Sequence, residues 1–185
     1  MLKEHTHWAA PKCPAIIFNN SGSMLAEGRV EKSMEIIRDI VRTHDGADFY
    51  VNDGRRGIPD FITHLEGGKF GLYSAPLIPM ITGDDYWNAF AIAAIIVEYP
   101  VGVHIIDDGD GSDWLEDALE MCERLTEDTY KHPITVYMLR SKAESSMVKR
   151  YYDRLKSLSP EDSNITVYHV IPKSNTGYSS ISRLE

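Results

Sequence analysis

The chain has 185 residues, with 19 basic and 28 acidic side chains and a formal net charge of −9. Apolar content of 43% and charged content of 25% are ordinary for a globular domain, which excludes wholesale disorder and points to one domain with a sizeable core. Residues 107–128 carry ten acids and one base while the remainder balances, and this distribution, with a pI near 5.2, argues against a nucleic-acid surface.

Residues 1–13 read as a lead-in with no apolar stretch like that of a signal peptide. Residues 14–18 (PAIIF) are a short apolar run that stops at Asn19-Asn20-Ser21-Gly22-Ser23, as a fully buried strand does. Val30, Met34, Ile37 and Val41, widened by Ile36 and Ile40, predict a helix over 28–44 that ends at Asp45-Gly46. Residues 48–51 predict a second strand, 58–66 a short helix opened by Pro59, and 69–74 a weak third strand. Residues 84–98 are apolar on nearly every face and predict a buried helix. Its longest uncharged apolar run, Ala89 to Val97, is too short to cross a bilayer.

Residues 101–106 predict a fourth strand that leads into Asp107-Asp108-Gly109-Asp110. A helix over 113–126, with an Asp113-x-x-Glu116 capping box, turns Leu115, Ala118, Leu119, Cys122 and Leu125 to one side. Residues 134–139 predict a fifth strand. Ser141-x-x-Glu144 caps a helix with Met147, Val148, Tyr151, Leu155 and Leu158 facing inward, and residues 164–171 are the last strand. The segment 172–185 reads as a polar, Ser-rich tail, so the domain is expected to span 14–171.

The alternation predicts an α/β fold: a three-layer sandwich with a doubly wound, mostly parallel six-stranded sheet and one antiparallel edge strand. Ligands of such sheets bind at the carboxyl ends of the strands, beside the point where strand order reverses. The loops to inspect therefore follow the first and fourth strands. They offer hydroxyls at Ser21 and Ser23 and carboxylates at Asp107, Asp108 and Asp110, with Thr82 before the buried helix. Hard oxygen donors of this kind suit Mg²⁺, Mn²⁺ or Ca²⁺.

An apolar strand, then Asn19-x-Ser21-Gly22-Ser23-Met24, then a helix, resembles the von Willebrand factor A domain, whose metal-ion-dependent adhesion site opens with D-x-S-x-S. The resemblance implies a metal site at Asn19, Ser21, Ser23, Thr82 and Asp108. It also implies binding rather than turnover, with an acidic side chain of a protein partner completing the coordination of a divalent cation. Asn19 stands where the family has Asp, so one charge is missing and the site is expected to be weakened or metal-free. The family's last helix is absent as well. The expected molecule is a cytoplasmic interaction module with no nucleic-acid or membrane partner.

The competing reading is a metal-dependent phosphoryl-transfer or hydrolytic enzyme using Asp108 and Asp110. It lacks a third acid on the first strand. An EF-hand fails because Asp113 and Leu119 stand where Gly and Glu are required, and no phosphate-loop pattern is present. Cys13 and Cys122 read as small apolar residues, and the basic residues of 142–156 are expected to meet solvent or the acidic helix.

Overall fold

The computed structural model describes residues 11–19, 22–26, 28–52, 85–109, 114–125, 132–157, 164–172 and 179–185. Ser21, Thr82 and Asp110, the Asp113 cap, and the helix and strand expected over 58–66 and 69–74 lie outside them. The strands are β1 (Ala15–Asn19), β2 (Asp48–Asn52), β3 (Val103–Asp107), β4 (Ile134–Leu139), β5 (Ile165–Ile171) and β6 (Ser180–Arg183). The helices are α1 (Arg29–His44), α2 (Asp85–Glu98), α3 (Trp114–Leu125) and α4 (Ser145–Ser157), with 3₁₀ turns at Gly22–Leu25 and Lys142–Glu144.

The six strands form one sheet in the order β2-β1-β3-β4-β5-β6. All pairs are parallel except β5 with β6. The fold is thus α/β and mostly parallel, with the antiparallel edge supplied by residues 180–183. That strand falls inside the segment read as a patternless tail. Its sequence, SISR, is half-exposed to exposed throughout, so it carries no buried face for a pattern search to find.

Alternate side chains of β1 enter two different apolar clusters. Ala15 and Ile17 join Ala89, Ile92, Ala93, Ile96, Leu115, Leu119, Val148's neighbour Tyr152 and Leu155, from α2, α3 and α4. Ile16 and Phe18 join Met24, Met34, Ile36, Ile37 and Ile40, mainly from α1. This is the period-two alternation of a strand buried on both faces. Gly102 precedes β3 with φ of +129°, and a Cβ there would lie 3.0 Å from the Pro133 carbonyl oxygen, so this position requires glycine. The strand accordingly starts at Val103 rather than at 101.

Two helices present faces that differ from the sequence reading. The buried side of α1 is Arg29, Ser33, Met34, Ile36, Ile37 and Ile40, with Val30 and Val41 only half-buried. The buried stripe is therefore rotated toward the side that carries Arg29. In α4 the buried residues are Val148, Tyr152 and Leu155, whereas Met147 is 47% exposed and Tyr151 half-buried. Spacings of 4 and 3 centre the helix on Val148, which leaves Met147 and Tyr151 at the margin of the apolar stripe. Among the described residues no helix is long and apolar enough to cross a membrane.

Candidate functional site

β1 pairs with β2 on one side and β3 on the other, so the strand order reverses at β1. The crevice at the carboxyl ends of β1 and β3 is the switch point where open α/β sheets place ligands. Asn19 closes β1 and Asp107 closes β3, one strand apart.

Asn19 is buried and its Nδ2 donates to Asp107 Oδ1 at 2.5 Å. The Asp108 backbone N–H donates to the same oxygen at 2.8 Å. Asp107 Oδ2 has no hydrogen-bond partner among the described residues. Burial, and next the charge of Asp108, push the Asp107 carboxyl up to about 6, against the pull of the donors from Asn19 and the Gly109 and Asp108 backbone. This contact explains why the first strand ends in Asn. An aspartate at position 19 would bring a second carboxylate against Asp107, whereas the amide supplies a donor.

Asp108 is fully buried, and its carboxylate faces a guanidinium. Arg29, the first residue of α1, donates from Nη1 to Asp108 Oδ2 at 2.7 Å and to the Ser23 carbonyl at 3.0 Å. Its Nη2 lies 3.8 Å from Glu144 Oε2. Arg29 therefore ties together the turn after β1, the loop after β3 and the turn after β4. A second arginine, Arg140, follows β4. Its Nε donates to the Asp108 carbonyl and its Nη1 to Glu144 Oε1 at 2.7 Å.

The Ser141–Glu144 pairing read from the sequence is present. Glu144 Oε2 accepts from the Ser141 backbone N–H at 3.0 Å and from its hydroxyl at 2.8 Å. Burial opposes ionisation of Glu144, but the donors from Ser141 and Arg140 together hold its carboxyl below the usual range. His169 on β5 braces the arginine turn, because its Nε2 lies 3.1 Å from the Arg140 carbonyl, which can only accept.

Of the five residues that the resemblance implied as ligands, three are described. Asn19 closes β1, and Asp108 directly follows the end of the neighbouring β3. Ser23 meets the site through its backbone carbonyl, which accepts from Arg29. Among the described residues no group of three His, Cys, Asp or Glu side chains could hold a metal ion. One of the two Asp108 carboxylate oxygens, Oδ2, is engaged by Arg29, so among the described donors it is shared with a cation of the chain itself. The residues that sequence reasoning missed are Arg29, Arg140 and Glu144. A signal for Arg29 was available: it stands at i, i+4, i+7 and i+8 spacing with Ser33, Ile36 and Ile37, so it belongs to the helix face that is turned inward.

Beside this crevice, between the ends of β3 and β4 and helix α4, lies a cavity of about 140 Å³. Asp108 and Gly109 form its border with the switch point, and Met138, Arg140, Met147, Arg150, Tyr151 and Arg154 line the rest. Arg154 reaches across to pair with Glu116 of α3, so the basic helix does meet the acidic one. No protein-family model, curated protein or solved structure matches the chain.

Proposed function

We propose that this chain is a non-catalytic binding module that presents the carboxyl edge of its sheet to a protein partner, with the guanidinium of Arg29 standing where a divalent cation would otherwise neutralise Asp108. In this reading the molecule is a doubly wound three-layer sandwich of the von Willebrand factor A type, acting in the cytoplasm, with a degenerate adhesion site at Asn19, Ser21, Ser23, Thr82 and Asp108. The observation that carries it is the 2.7 Å pair between Arg29 Nη1 and the fully buried Asp108 carboxylate. The cation is supplied by the chain itself, and Asn19 completes the change by donating to Asp107 instead of adding a charge. An arginine is always protonated and holds its fork in a fixed plane, so the arrangement persists without any dissolved ion.

The phosphoryl-transfer alternative has less support. An Asp108 already paired with Arg29 and buried is poorly placed to hold Mg²⁺ for an incoming phosphate. Calorimetric titration with Mg²⁺, Mn²⁺ and Ca²⁺ tests the proposal. Wild type is expected to give no site-specific heat, and Arg29→Met, which takes the guanidinium away from Asp108, to gain binding. Tight binding to wild type that Arg29→Met does not improve overturns the proposal. So does Mg²⁺-dependent turnover of p-nitrophenyl phosphate that Asp108→Ala abolishes.

A further inference from the structure

The face of α4 that borders the cavity repeats Met147, Arg150, Tyr151 and Arg154, at i, i+3, i+4 and i+7. Two arginines four residues apart repel one another along a helix. The outward side of the same helix obeys the opposite rule: Lys149 pairs with Asp153 at 3.1 Å across the same spacing. Among the described residues the acids on the cavity side are all engaged. Asp108 is held by Arg29, Glu144 by Arg140 and Ser141, and Glu116 by Arg154. Arg150 is exposed and has no hydrogen-bond or ion-pair partner among the described residues. Among the described residues the cavity thus carries one unbalanced positive charge at its rim.

Its walls are otherwise mostly carbon and sulfur, from Met138, Met147, Val148 and Tyr151. Met147 is one of few large apolar side chains left exposed among the described residues, and methionine adapts its shape to what it meets. At about 140 Å³ the space is well below the ~300–1,000 Å³ of a site for a drug-sized ligand. It suits a single short group. One surplus cation matches a monoanion better than a phosphate dianion, and apolar walls match an apolar stem.

We infer that this cavity binds a carboxylate on a short apolar stem, with Arg150 at its rim as the cation that captures it and Met138 and Met147 packing on the stem. A glutamate side chain of a partner and a free short-chain carboxylic acid share this chemistry. The inference rests on the proposed function in one respect, that Arg29 has already neutralised Asp108.

The test uses the full chain labelled with ¹³C on its methionine methyls and three probes. These are a capped Ala-Leu-Glu-Leu-Ala peptide with its Gln counterpart, butyrate, and Mn²⁺, all at constant ionic strength. Saturable shifts of the Met138 and Met147 methyls with the Glu peptide but not the Gln peptide support the site and assign it to a partner's side chain. The same shifts with butyrate, and none with the peptide, support the site and assign it to a free acid. Arg150→Gln is expected to weaken whichever ligand binds by on the order of tenfold, the loss of one charge-assisted hydrogen bond. Shifts with neither probe, or unchanged affinity in Arg150→Gln, overturn the site. Shifts that grow with protein concentration alone overturn it in favour of contact between copies of the chain. Broadening of Met138 by Mn²⁺ overturns the guanidinium reading and, with it, the charge balance assumed here. An unbroadened Met138 with both carboxylates inert overturns the cavity site alone.

Discussion

Two crevices share the carboxyl edge of the sheet, and they treat charge in opposite ways. At the ends of β1 and β3, Asp107, Asp108 and Arg29 are sealed in and tied to one another, to Asn19 and to the Ser23 carbonyl. Between β4 and α4, Arg140 is buried and paired with Glu144, whereas Arg150 and Arg154 are exposed, and of these two only Arg154 meets an acid among the described residues. Buried charge survives only where the geometry supplies a partner, because a desolvated ion without one costs several kcal/mol. Exposed charge has no such obligation, so an unbalanced cation at the rim is tolerated and is available to something else. Among the described residues the first crevice holds an internal ion pair, and the second holds a cation without one.

The sharpest way to break that contrast is to remove the internal cation. Arg29→Met removes the guanidinium from the buried Asp108 carboxylate, and a loss of about 3–5 kcal/mol in urea unfolding is expected. Adding Asp108→Asn should return part of that loss, since the buried charge that Arg29 had balanced disappears. A double variant no better than Arg29→Met would mean that the two residues are not energetically coupled.

Second in size is a pH effect with two opposing parts. Asp107 is raised to about 6, so the folded state holds a proton that the unfolded state has released. Its contribution is fully present at pH 4 and fades as pH rises through 6, by about 3 kcal/mol. His104 is pushed down to about 4, first by burial and then by His44. Its contribution runs the other way, present above pH 6.5 and lost as pH falls toward 4. The two windows overlap, so wild type hides both. Asp107→Asn should make stability climb between pH 4 and 6.5, and His104→Gln should make it decline over the same range. Parallel profiles for the two variants would contradict the assignment.

A smaller effect tests the wall between the crevices. Gly109 has φ of +65°, and a Cβ there would sit 3.0 Å from Met138 Sδ and 3.1 Å from its Cε. Gly109→Ala is expected to cost about 1–2 kcal/mol, the left-handed backbone accounting for most of it because a methionine tip can shift. A cost below ~0.5 kcal/mol would show that the loop relaxes. The smallest effect is expected at Arg150→Gln, within about 0.5 kcal/mol of wild type, since Arg150 supports no described contact. A larger loss would make Arg150 part of the fold, not a site for something else.

Much of this architecture could be read from the chain, and the misses share a cause. Apolar runs located β1, β4 and β5, whose buried faces are continuous or cleanly alternating. β6 escaped because SISR is a polar edge strand held by backbone pairing to β5. Asn19 and Asp108 drew notice because polar residues in loops after strands stand out, and the structure places Asn19 against Asp107 and Asp108 against Arg29. Arg29 did not, because a charge at the start of a helix reads as solvated unless its phase with Ser33 and Ile37 is followed inward. Glu144 was read only as a cap, and Arg140, just past the strand predicted over 134–139, was not singled out. Which acid pairs with which base is decided by distances between segments far apart in the chain, 79 residues for Arg29 and Asp108, and no local pattern encodes that.

The central claim is that the chain supplies its own cation at the switch point. Electron paramagnetic resonance counts free Mn²⁺ directly and needs no partner or substrate. With wild-type protein at millimolar concentration, the six-line signal of added Mn²⁺ is expected to keep its full amplitude, and to be attenuated by Arg29→Met. Attenuation by wild type that vanishes in Asp108→Asn would contradict the account.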